Sequence, residues 1–208
     1  MTSPSISLDC ACLLPDPRTQ AAQTDMRTNM GADARVAAVA PTGAPVSGRR
    51  RLVLPSLANA HDHGRTFRNS TLGACDQPLE SWLPFQGLAP GVDPYLCAAT
   101  SFARSLRHGV THLMVHYTRV QGVVPYVEEA RAVARAARDV GVRIGFAIAM
   151  RDRHGLGYGP DDTVLPSLRP EIREEVARRL SARPVAPAHQ VALVDEVAKA
   201  IEADGHGH

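Results

Sequence analysis

The stretch "LVLPSLANAHDHGR", residues 52–65, decides how this chain is read. An apolar run ends in two histidines one residue apart. Side chains alternate along a strand, so His61 and His63 face the same side. The same rule puts Asn59 below them and turns Asp62 away. The pair sits where a strand gives way to a loop, and in parallel α/β folds sites are built at that carboxyl end. Imidazole is the commonest metal-ligand side chain. Two on one strand end grip a divalent ion from one side, and a further protein ligand leaves an open position for water. The chain has nine histidines. A second His-x-His, His206/His208, has no strand before it and reads as a frayed tail.

Around this stretch the pattern is α/β. Asp93-Pro94 reads as an N-cap followed by proline in the first turn. The helix it opens carries Leu96, Ala99, Phe102, Ala103 and Leu106 on one stripe and stops at Gly109. "VTHLMVHY" (110–117) is a strand. A second helix runs from Pro125 to Gly141, with Val127, Ala130, Val133, Ala134 and Ala137 on its apolar face. "VRIGFAIAM" (142–150) is a buried strand. A last helix carries Val194, Val197, Ala198 and Ile201 at i, i+3, i+4, i+7. Apolar strands separated by amphipathic helices imply parallel pairing through right-handed crossovers. Residues 1–55 differ: "CACLL", "ARVAAVAP" and "RRLVLP" are short strands broken by Pro and Gly. The expected organisation is therefore a β-rich segment, 1–55, before an α/β unit, 56–208.

The 208 residues are 44% hydrophobic and 21% charged, with a net charge of +2. That profile is globular. Arginine is scattered, which gives no footprint for nucleic acid, and no apolar run is long enough for a membrane span. The first residues do not read as a secretion signal. A cytoplasmic location with free thiols is expected for Cys10, Cys12, Cys75 and Cys97.

The stretch 52–65 resembles the first-strand signature of the amidohydrolase superfamily, a Pro-Gly-Leu/Phe-x-Asn/Asp-Ala-His-x-His pattern, with Ser56 where that pattern has glycine. "ADARVAAVAPTGAP" is similar to the strands of the small β-sandwich before the barrel. "LRHGVTHLMVHY" and "ARAARDVGVRIGFAIAMRDR" are similar to the second strand and to the second helix with the third strand. The resemblance covers roughly residues 24–155. Its wording is closer to the cytosine deaminase, guanine deaminase and chlorohydrolase branch than to the urease branch.

The resemblance implies a (β/α)8 barrel, with His61 and His63 as the first two ligands of one divalent ion, Zn or Fe. It implies hydrolysis of C–N bonds in cyclic amides or amino-substituted heterocycles. The remaining ligands, histidines after strands five and six and an aspartate after strand eight, have no match here. A whole barrel needs about 250 residues. The expectation is a partial TIM barrel, the first three or so βα units, in an N-terminal fragment.

Arg65, Trp82, His116 and His154 are candidates for substrate contact. His112, deeper on the same strand, reads as a core histidine. The expected partners are a small-molecule substrate and either a second copy or a complementing C-terminal half, with no nucleic acid and no membrane. Two alternatives stand beside this reading: a non-catalytic half barrel that needs a partner, and a His-x-His phosphoesterase.

Overall fold

A computed structural model describes residues 6–33, 35–65, 69–73, 78, 82, 90–118, 120–150, 160–180 and 185–204. The chain divides into two compact units, Met1–Ser56 and Leu57–His208.

The first unit is a four-stranded sheet in the order β3-β2-β1-β4. Its strands are β1 (Ile6–Leu13), β2 (Gln23–Met30), β3 (Val36–Pro41) and β4 (Leu52–Val53). β2 is antiparallel to both β1 and β3, and β4 runs parallel to β1. Sequence reading missed β2. "QTDMRTNM" has no apolar alternation, and β1 holds it instead through the ladder and a two-pronged ion pair. Arg27 Nε and Nη2 donate to Asp9 at 2.6 and 2.8 Å. Cys10, Leu13 and Met26 form the small core.

The second unit is mixed α/β. Its sheet has the order β5-β6-β7, all parallel, with β5 at Leu57–Asp62, β6 at Val110–Tyr117 and β7 at Arg143–Ile148. Helix α1 (Pro94–Arg107) joins β5 to β6, and α2 (Tyr126–Val140) joins β6 to β7. After β7 come α3 (Asp161–Val164), α4 (Pro170–Leu180) and α5 (Pro187–Ala203). The stop and start signals work as read. The Asp93 carboxylate accepts from Leu96 N–H at 2.8 Å, and Gly141 closes α2 with φ +87°, a conformation glycine adopts without strain.

The α1 stripe is rotated from the expected one. Cys97, Ala98, Ser101 and Phe102 are buried, whereas Leu96 is 59% exposed. Small residues at 97, 98 and 101 let the helix approach closely, which outweighs the larger leucines one position away. The core joins Ala98 and Phe102 of α1, Leu113, Val115 and Tyr117 of β6, and Val133, Ala136 and Ala137 of α2. The odd residues of β6 therefore face the helices. His112 and Met114 lie on the other face, and both are exposed. His112 is thus not the core histidine expected: it lies on the face of β6 opposite the residues packed in the core with α1 and α2. It lies instead beside Thr111 Oγ1 (2.9 Å) and Arg143 Nη1 (3.4 Å).

One buried charge has no counterpart in the sequence reading. Glu129, fully buried in the first turn of α2, accepts from Tyr117 O–H at 2.5 Å, Gln121 N–H at 2.7 Å and Gly122 N–H at 2.8 Å. A buried carboxylate is tolerable when donors surround it. This one ties the end of β6 to the loop before α2. Burial, and then the Glu129 charge, pushes the Tyr126 phenol up to about 12. Burial and the bond to Glu129 push Tyr117 up further. Both phenols hold their protons more tightly folded than unfolded. Their contribution to stability is complete below the ordinary tyrosine pKa of about 10 and is lost as pH rises through the folded values. Urea denaturation should show stability level between about pH 7 and 9 and falling above about pH 10. A stability unchanged to about pH 12 would contradict this.

Candidate metal centre

β5 and β6 run parallel, so their carboxyl ends meet at one edge of the sheet. His61, His63 and His116 gather there. His61 Nε2 and His63 Nε2 are 3.3 Å apart, and the two rings stand at 84° with centroids 5.0 Å apart. His63 Nδ1 lies 2.7 Å from the main-chain oxygen of His116. A carbonyl only accepts, so Nδ1 carries a proton, which leaves Nε2 as the nitrogen that can ligate. The His116 ring stacks on His61, 4.3 Å between centroids at 21°.

The local backbone explains how the pair is aimed. Asn59 pairs with Leu113 and Asp62 with Val115, a register shift of three steps on β5 against two on β6. That extra residue is a bulge. It corrects the expectation from simple alternation: Asn59 and Asp62 share one side, the side of Leu113 and Val115, rather than opposite ones. There they form a polar brace. Asn59 Nδ2 donates to Asp62 Oδ2 at 2.9 Å, and Asn59 Oδ1 accepts from His61 N–H at 3.1 Å. Asp62 Oδ1 accepts from Gly64 N–H at 2.7 Å. Gly64 itself has φ +61°, and a Cβ there would lie 3.4 Å from Val115 Cγ1 and 3.6 Å from Phe102 Cζ. Glycine lets the chain turn over the core directly after His63.

Arg65 reaches over Tyr117, its guanidinium carbon 5.5 Å from the ring centre. Its Nη2 is buried and, among the described residues, has no hydrogen-bond partner. Trp82 is half-buried, and its main-chain N–H donates to the Pro78 main-chain oxygen at 3.3 Å. His116 is half-buried. His154 lies outside the described residues. Asn59, Asp62 and Gly64 are the site residues that reading missed. Their only signal was the wording "NAHDHG" itself.

The pair fits a metal. Nitrogens bound at about 2.0–2.1 Å in tetrahedral geometry are about 3.3–3.4 Å apart. A hydrogen bond on the non-liganding nitrogen is the usual outer partner of a metal-bound histidine. Among the described residues no group of three or more His, Cys, Asp or Glu converges on one point.

A parallel α/β unit with paired imidazoles at its carboxyl edge defines the class. Residues 52–203 match the model of the amidohydrolase family, and the chain belongs to that family. An adenosine deaminase from Xanthomonas campestris, solved with bound zinc, matches 94% of this chain and 39% of its own, at 18% identity and a TM-score of 0.51. A triazine hydrolase variant matches 79% of this chain and 41% of its own, at 18% identity and a TM-score of 0.44. The chain thus spans well under half the length of either structure. No curated protein matches it. No described helix is long and apolar enough to cross a membrane.

Proposed function

We propose that this chain contributes to a metal-dependent hydrolase acting on C–N bonds of cyclic amides or amino-substituted heterocycles. His61 and His63 would hold one divalent ion, zinc or iron, through their Nε2 atoms. The observation that carries this is the 3.3 Å Nε2 separation combined with the proton fixed on His63 Nδ1. Membership of the amidohydrolase family supports the hydrolase reading, and the zinc in the deaminase structure supports the metal. When bound, such an ion supplies Lewis acidity and lowers the pKa of water towards neutrality.

The His116 carbonyl keeps the His63 proton on Nδ1. Arg65, with a buried Nη2 unpartnered among the described residues, orients a carbonyl or carboxylate of the substrate. Trp82, His116 and His154 are proposed to line the same mouth. The parallel β5-β6-β7 sheet with α1 and α2 forms the first βα units of a (β/α)8 barrel. Later units, which would carry the remaining ligands, complete it. The 39% coverage of the deaminase chain supports that proposal.

The test has two arms. Titration of the 208-residue chain with Co²⁺, read by absorption, should show one ion bound per chain. The native-length protein from its own cells, loaded with Zn²⁺ or Fe²⁺, should turn over a panel of cyclic amides and aminoheterocycles. Binding without turnover in that protein would favour the non-catalytic alternative; no binding would defeat the metal reading.

A further inference from the structure

We propose that His116 is the positioning residue of the histidine pair, holding each of the two rings by a different group. The proposal rests on the reading of His61 and His63 as metal ligands. Through its ring, His116 lies flat against His61, 4.3 Å away at 21°. Through its main-chain oxygen it accepts the proton of His63 Nδ1 at 2.7 Å. The same oxygen also accepts from Thr118 N–H at 2.9 Å, which uses both of its lone pairs. One residue thereby fixes the face of one ring and the tautomer of the other.

Its place in the fold suits this role. β6 is the central strand, hydrogen-bonded to β5 on one side and to β7 on the other. His116 is paired with Ala147 of β7, a small neighbour on the same face. On the β5 side the last paired residue of β6 is Val115, directly before His116.

His116 is not itself a third ligand in this arrangement. An imidazole lone pair lies in the plane of its ring. Two rings stacked 4.3 Å apart and tilted by only 21° cannot both place a lone pair about 2.0–2.1 Å from one ion. His61 and His63, at 84° with Nε2 atoms 3.3 Å apart, can. The stack therefore offers a flat surface rather than a donor atom, and a phenyl ring can offer the same.

The experiment compares wild type, His116→Ala, His116→Phe and His61→Ala in the 208-residue chain, each first shown to be folded by circular dichroism. Co²⁺ affinity is measured by titration. In parallel, the ring-proton shifts of His61 are measured by NMR without metal, where a stacked neighbour moves them upfield. The expected result is Co²⁺ affinity weakened about 10-fold in His116→Ala, which removes the stacked ring while the main-chain oxygen that bonds to His63 stays in every variant. His116→Phe should restore it close to wild type. The upfield shift should be present in wild type and His116→Phe and absent in His116→Ala. Unchanged affinity in His116→Ala would overturn the proposal. So would a loss in His116→Phe as large as in His61→Ala, which would make His116 a ligand. If wild type and His61→Ala bind Co²⁺ alike, the metal reading fails, and the metal-free shifts alone decide whether His116 orders His61.

Discussion

His63→Ala is expected to reduce divalent-metal affinity by a factor of about 100 or more, at or beyond the upper end of what losing an outer partner costs. The substitution removes two things at once. It deletes one of the two Nε2 atoms that stand 3.3 Å apart, leaving a single imidazole to hold the ion. It also deletes the Nδ1–H that bonds to the His116 oxygen at 2.7 Å, so nothing from position 63 ties the loop start to β6. The control is His108→Ala. That histidine caps α1 and bonds through Nδ1 to the Arg104 oxygen at 2.8 Å, away from the paired rings. Equilibrium dialysis with Zn²⁺ should show His63→Ala depleted of metal and His108→Ala unchanged. Equal zinc content in the two variants would show that the pair is not a metal centre.

Glu129→Ala is expected to cost about 4 kcal/mol of stability. The side chain is fully buried and accepts from three donors: the Tyr117 hydroxyl and the N–H groups of Gln121 and Gly122. The Tyr117 hydroxyl is buried, and left without a partner it costs about 1–3 kcal/mol; removing one member of a buried charged network costs about 3–5 kcal/mol. The cavity left by the carboxylate adds to this. Glu129→Gln keeps one acceptor oxygen but turns an NH₂ towards a donor, so it should fall between wild type and alanine. Urea denaturation with a fluorescence readout measures both. A loss under about 1 kcal/mol in the alanine variant would mean that water reaches these donors and that the carboxylate does not tie the β6–α2 connection.

The two residues act on the same edge of the sheet from opposite faces. Tyr117, held by Glu129, lies next to His116 in β6, and Arg65 covers the Tyr117 ring. Loss of Glu129 should therefore loosen the support of the histidine pair as well as the core.

Several features were legible because they depend only on local chemistry. An apolar strand ending in His-x-His, an Asp-Pro helix start and a glycine in the left-handed conformation at a helix end each follow from a few consecutive residues. The α2 face was readable for the same reason: Ala130, Val133, Ala134 and Ala137 recur at helical spacing and are buried as expected. α1 was not, because its buried stripe is set by how closely small residues let it approach its neighbours. β2 was hidden because its partner strand, not its own pattern, makes it a strand.

The amino-acid sequence by itself determined that two imidazoles stand at the end of a strand in a parallel α/β unit, since the period of two and the helix signals are properties of single segments. Only the tertiary structure decided what those imidazoles meet. The bulge between Asn59 and Asp62, the stacking of His116 on His61 and the burial of Glu129 arise from register between strands and contact between elements. No run of neighbouring residues encodes such distances, because the groups that meet are brought together by the packing of β5, β6 and α2.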